Sequence, residues 1–145
     1  MAGSTVADET FAVLRGFGVD RAFGNPGSTE MHMFAYWPSD LDYVLALQEA
    51  SVVAMADGYA QRSGRPGVVN VNTAAGLGNA MGAVVSAARN NTPLLITAGQ
   101  QTRAMLPTDP YLCSPHSTLL PVPYVKWANE PAARPMCLPR SAGRC

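Results

Sequence analysis

The sequence predicts an α/β protein built on an open parallel sheet with helices on both faces, the sheet incomplete at its C-terminal end. Helix-type and strand-type hydrophobic patterns alternate regularly between residues 5 and 97, as parallel strands joined by crossover helices do. Val68, Val69 and Val71 are β-branched and nearly consecutive, which suits a strand covered on both faces. Ligands in such sheets lie beyond the carboxyl ends of the strands, so the loops that follow the strands are expected to carry function.

Thr5 with Asp8 has the form of a helix cap, and Val6, Thr10, Val13, Leu14 and Phe17 then fall on one helical face. Gly18 ends that helix. Residues 20–23 form a short strand that runs into Gly24-Asn25-Pro26-Gly27-Ser28, a turn in which proline fixes one backbone angle and glycine frees another. A short helix over 30–36 and a strand over 43–47 follow. The helix over 49–62 carries Val52, Val53, Met55, Ala56 and Tyr59 on its apolar side. After the Gly64-Arg65-Pro66-Gly67 turn comes the valine strand, then a loop over 72–79 and a helix of small residues over 80–89. Residues 94–97 are the fourth strand. Pro107, Pro110, Pro115, Pro121 and Pro123 preclude long elements beyond Gln100, with one short extended piece at Val125-Lys126-Trp127. The loops at 24–28, 48–49 and 72–79 are expected to converge, with Glu49 among them.

Hydrophobic content of 48% against 14% charged residues excludes a disordered chain. Ten basic and ten acidic residues cancel, so no field favours nucleic acid or an anionic membrane. The N-terminal stretch contains Asp8 and Glu9 and lacks a basic region followed by an apolar core, so it is not a signal peptide. No apolar run approaches the roughly 20 residues of a membrane span. The expectation is a soluble cytoplasmic protein. Cys113, Cys137 and Cys145 have no metal-type spacing and are expected to be reduced, incidental thiols. Gly76-Leu77-Gly78 imitates a dinucleotide loop, but the next glycine, Gly82, is one residue too late. No acid lies between Asp57 and Asp109 to meet a ribose, which argues against nicotinamide or flavin.

Taken in order and spacing, Phe23-Gly24-Asn25-Pro26-Gly27-Ser28, Ala46-Leu47-Gln48-Glu49-Ala50, Ala56-Asp57-Gly58-Tyr59-Ala60, 72–79 and Thr97-Ala98-Gly99-Gln100-Gln101-Thr102-Arg103 resemble the pyrimidine-binding domain of thiamine-diphosphate enzymes. Within that superfamily the resemblance is greatest to the benzoylformate decarboxylases, and it runs through Glu130-Pro131 to cover residues 1–131. It implies that Glu49 is catalytic, hydrogen-bonding a nitrogen of the cofactor aminopyrimidine and favouring the imino tautomer that activates the thiazolium. A carboxyl group flanked by Leu45, Leu47, Val52 and Val53 can share a proton with such a ring. Taken alone, an acid at a helix N-terminus also complements the helix dipole. The resemblance further assigns Asn25, Pro26, Gly27, Gly76 and Asn79 to cofactor binding, with Gly76 and Gly78 admitting close backbone approach. It assigns Ser28 to the substrate carboxylate and Asn72 to the substrate side. These decarboxylases have a histidine where this chain has Asn72, and asparagine cannot carry a proton near neutral pH.

The implied cofactor is thiamine diphosphate, bound at its pyrimidine end, with a 2-oxo acid as substrate and a homo-oligomeric parent, dimer or tetramer. Magnesium and diphosphate belong in that family to a Gly-Asp-Gly segment on another domain. Asp57-Gly58 with Asn90-Asn91 is no substitute, because it lacks the leading glycine and falls within a helix. The chain is therefore expected to be part of a 2-oxo-acid decarboxylase and inactive alone. A carboligase or lyase parent, suggested by Asn72, and a non-enzymatic α/β interaction module remain as alternatives.

Residues 132–145 depart from this pattern: Arg134, Arg140 and Arg144, Pro135 and Pro139, and two of the cysteines crowd a stretch without acids or helical period. The expectation is a disordered basic tail produced by a reading-frame shift near Pro131. Resequencing the coding DNA should reveal, in another frame, a continuation resembling the rest of the enzyme; a downstream sequence that encodes nothing of the kind sinks the idea.

Overall fold

Thr5 opens the first helix, α1 (Val6–Gly16), through a reciprocal cap. Its hydroxyl oxygen accepts the Asp8 N–H at 3.2 Å, and its own N–H donates to the Asp8 carboxylate at 2.8 Å. Gly18, at φ 73°, turns the chain out of the helix into β1 (Arg21–Asn25). The computed structural model describes residues 4–131; the tail expected over 132–145 lies outside the described residues.

A 3-10 turn (Ser28–Glu30) and the one-turn helix α2 (Met31–Phe34) lead to β2 (Asp42–Leu45). Then follow α3 (Glu49–Ser63), β3 (Gly67–Val71), α4 (Thr73–Arg89) and β4 (Leu94–Ala98). The strands are all parallel and lie in the order β2-β1-β3-β4. Strand alternation sends Ala22 and Val68 to the face covered by α1, where they meet Phe11, Leu14 and Leu41. Phe23, Val69 and Val71 point the other way, onto Val52, Val53 and Ala56 of α3 and Leu77, Ala80 and Val84 of α4. Helices on both faces and a fully buried β3 are what the valine run predicts. No helix among the described residues is long and apolar enough to cross a membrane.

Some boundaries differ from the expectation. Residues 73–79, expected as loop, are the first turns of α4, and the Gly76 N–H closes the first turn onto the Asn72 carbonyl at 2.8 Å. Glycine weakens a helix by about 1 kcal/mol relative to alanine, but at Gly76 the missing side chain lets α4 lie close against Glu49 and Val71. The second strand ends at Leu45 rather than residue 47. Val125-Lys126-Trp127 forms no strand; Val125 instead packs against the α3/α4 core. The proline-rich stretch holds two 3-10 turns (Leu106–Thr108 and Ser117–Leu119). Arg103 pins its end by donating to Glu130 at 3.3 Å and to the Pro131 carbonyl at 2.8 Å.

The helix pair is braced by a buried acid. Asp57 of α3 accepts from Gln61 at 2.8 Å, from Asn90 at the end of α4 at 2.9 Å and from the Thr92 hydroxyl. Burial pushes its carboxyl up, and the bonds from Thr92, Gln61 and Asn90 together outweigh burial and hold it below the usual carboxylate range. A depressed value in the folded state contributes stability above the unfolded-state value, and that contribution is lost as pH falls through the folded one. Asp57→Ala is expected to cost about 2 kcal/mol at neutral pH, by removing the hydrogen bonds that its carboxylate accepts from Gln61, Asn90 and Thr92. In urea denaturation across a pH series, its difference from the parent chain should shrink below about pH 4.

Candidate active site

The central strands β1 and β3 end side by side, with Asn25 paired to Val71, and the loops beyond them meet as expected. At the first turn of α3, Glu49 is 8% exposed and receives two amides. Asn25 Nδ2 donates to its Oε1 at 3.0 Å, and Asn79 Nδ2 donates to its Oε2 at 3.2 Å. Gln48 caps the helix in front of it, accepting the Ser51 N–H at 3.0 Å. Behind the carboxyl group α4 comes close: a Cβ on Gly76 would stand 3.3 Å from Glu49 Cγ, Glu49 Oε1 and Val71 Cβ.

The apolar flank expected around Glu49 is half correct. Val52 and Val53 are wholly buried, but Leu45 is 60% and Leu47 88% exposed. β2 is the edge of the sheet, and residues 46–48 run over its open end, so these leucines face outward. Burial of Glu49 comes instead from β1 and α4.

A second group of residues lies beside the first. Gly27 faces the Asn72 side chain so closely that a Cβ there would overlap the amide. The Thr29 hydroxyl stands 3.2 Å from Asn72 Oδ1 and 2.7 Å from Glu30 Oε1, while the Gly27 N–H donates to Glu30 Oε2 at 2.7 Å. Thus Asn25, Glu49, Gly76 and Asn79 come together, and Gly27 and Asn72 form an adjoining cluster, with Pro26 linking the two along the chain. Ser28 is exposed at the start of the 3-10 turn and shares no hydrogen bond with either group.

Under this surface a polar line crosses the sheet. Tyr43 donates to Asn70 Oδ1 at 3.2 Å, and Asn70 Nδ2 donates to Thr97 Oγ1 at 3.1 Å. Burial, and then the charge of Glu30, push the Tyr43 hydroxyl far above its ordinary value. Gly24 is required here, since a Cβ would overlap the Tyr43 hydroxyl.

Residues 4–117 match the family model described as thiamine pyrophosphate enzyme, N-terminal TPP binding domain. The chain belongs to this family. It is 47% identical over 128 residues to a benzoylformate decarboxylase of Pseudomonas aeruginosa, covering 88% of this chain and 24% of the relative. The benzoylformate decarboxylase structure from Polynucleobacter necessarius superposes with a TM-score of 0.86 at 54% identity, over 90% of this chain and 24% of that one. A thiamine diphosphate-dependent 4-hydroxybenzoylformate decarboxylase from Rhodococcus jostii RHA1 gives 0.86 at 41% identity, over 89% and 24%. The chain therefore spans about a quarter of the length of these relatives.

The residues of this TPP-binding domain fit the cofactor's ring. Glu49 keeps lone pairs free after accepting one amide on each oxygen, with Gly76 of α4 packed behind it. Sequence reasoning missed Thr29, Glu30 and Thr73. Only the spacing of Glu30 behind Gly27 hinted at its bond, and nothing in the pattern singled out Thr73. Thr73 opens α4 at φ 53°, a left-handed conformation that is costly for a β-branched residue, by about 1–3 kcal/mol. Its side chain is wholly buried and its hydroxyl has no partner among the described residues. Thr73→Val keeps the shape and removes the orphan hydroxyl. It is expected to raise unfolding stability by about 1 kcal/mol, read by urea or thermal denaturation.

Proposed function

We propose that this chain supplies the pyrimidine-activating half of a thiamine-diphosphate-dependent 2-oxo-acid decarboxylase of the benzoylformate decarboxylase type. The observation that carries the reading is Glu49: a buried carboxylate at the strand ends, oriented by Asn25 and Asn79 and backed by the bare face of Gly76. Asn25, Pro26, Gly27, Gly76 and Asn79 hold the pyrimidine end in this reading, and Ser28 and Asn72 face the 2-oxo acid. Thiamine diphosphate, when bound, supplies the carbon nucleophile that a 2-oxo acid needs and that no side chain of this set provides. Glu49 holds a proton at the ring nitrogen. The two amides fix its direction, and low exposure strengthens the bond.

Diphosphate and magnesium fall to groups outside residues 1–131, on a second domain. The exposed Leu45 and Leu47 beside Glu49 support this, because an apolar rim next to a buried acid is suited to being covered. The parent is a homo-oligomer in this reading.

Asn72 favours a second reading, in which the parent is a carboligase or lyase. Product analysis of the restored enzyme on benzoylformate, with and without Asn72→His, separates the two.

Calorimetric titration with thiamine diphosphate and magnesium tests the main reading. Binding is expected when a complementary carboxyl-terminal domain is present, and Glu49→Gln should lower turnover of that mixture by about a hundred- to ten-thousand-fold. Absence of binding with both pieces folded points instead to an interaction module.

A further inference from the structure

Thr29 has one hydroxyl proton and two polar neighbours. Its Oγ1 lies 2.7 Å from Glu30 Oε1 and 3.2 Å from the Asn72 amide. Hydrogen bonds to a carboxylate are shorter and about twice as strong as neutral ones, so the proton goes to Glu30. Only a lone pair is left for Asn72, and a lone pair requires an N–H.

The surroundings leave little freedom to evade this. Glu30 is 4% exposed and is fixed from the other side by the Gly27 N–H at 2.7 Å. Gly99 closes over it, since a Cβ there would overlap Glu30 Oε1 and crowd Thr29 Oγ1. A Cβ on Gly27 would meet Asn72 Cγ, Nδ2 and Oδ1 almost equally, so the amide lies flat against Gly27. A flat amide in that slot has two settings, related by exchange of its nitrogen and oxygen ends.

We propose that Glu30, acting through Thr29, selects between them, turning an Asn72 N–H toward Thr29 and leaving Oδ1 for the ligand. The subsite at Asn72 then takes a ligand group that carries a proton, such as a hydroxyl, in preference to a bare carboxylate. Thr29 and Glu30 are positioning residues. The ligand preference rests on the reading of Asn72 as substrate-binding; the amide setting does not.

The test is side-chain amide NMR on the 145-residue chain, labelled with nitrogen-15 and free of cofactor. One Asn72 Nδ2 proton is expected to exchange with water roughly fivefold more slowly than the other, the protection given by a hydrogen bond of ordinary net strength. Thr29→Val should abolish the difference and Thr29→Ser should keep it. Glu30→Gln retains an acceptor for the Gly27 N–H but turns its own amide N–H onto Thr29. The Thr29 proton is thereby released toward Asn72 Oδ1, and protection should vanish with Thr29 intact. Protection unchanged in Glu30→Gln, or absent from the parent chain, overturns the proposal. Should Glu30→Gln disturb the backbone spectrum, the contrast of Thr29→Val with Thr29→Ser decides: protection that survives in the valine variant overturns it. No cofactor enters the measurement, so failure of thiamine diphosphate to bind and failure of the amide setting are separate results.

Discussion

The close approach of α4 to Glu49 at Gly76 is the constraint on which the arrangement at the strand ends depends. With a Cβ there 3.3 Å from the carboxyl group and from Val71, alanine would already require its neighbours to give by a few tenths of an ångström, and a longer side chain would push α4 away from β3 or turn Glu49 out of its amides. Asn79 is on the same helix, just under one turn from Gly76, so the spacing that admits the carboxyl group also brings the second amide to it. Asn25 comes from β1 and completes the grip from the sheet side. Helix, sheet and acid are thus fixed by one another, and Glu49 does not depend on a mobile loop for its direction.

The remainder of the fold acts as a frame for that contact. At the far end of the helices, Asp57 ties α3 to the end of α4 and to Thr92, so the helix pair is braced away from the site as well as at it. On the opposite face of the sheet, the Tyr43–Asn70–Thr97 line ties β2 to β3 across Gly24 of β1 and β3 to β4 through side chains. Such a satisfied buried network resists sliding of the strands. The strained backbone at Thr73, where β3 hands over to α4, is the local cost of starting the helix so soon after Asn72.

The valine run and the alternation of patterns made the sheet legible, because a strand buried on both faces has few other ways to be written. Glu49, Asn25 and Asn79 were legible as a set only through the family resemblance; by composition, an acid at a helix start and two asparagines in turns are unremarkable. Gly76 and Gly78 misled the reading of 72–79, since glycine marks loops, whereas here Gly76 marks a close approach of the helix and Gly78 faces open space. The leucines at 45 and 47 misled it differently: hydrophobicity predicts burial, but their edge position in the strand order is a tertiary fact that local sequence does not contain. The burial of Glu30 was illegible for a similar reason, since it arises from contacts with Gly27 in the preceding turn and with Gly99 across the sheet.

Exposure of those leucines bears on the chemistry. A carboxylate directs a proton at a ring nitrogen most strongly where water is excluded, because the effective dielectric falls and competing donors are removed. On its inner side, Glu49 meets that condition through Gly76, Val71 and the buried valines of α3. On its outer side the approach to it is left open, since Leu45 is 60% and Leu47 88% exposed. The described residues therefore orient the acid without drying the space in front of it. In the proposed reading, orientation is local to this chain, whereas exclusion of water would come from a second surface laid over Leu45 and Leu47, so that catalysis would be the property of a larger assembly.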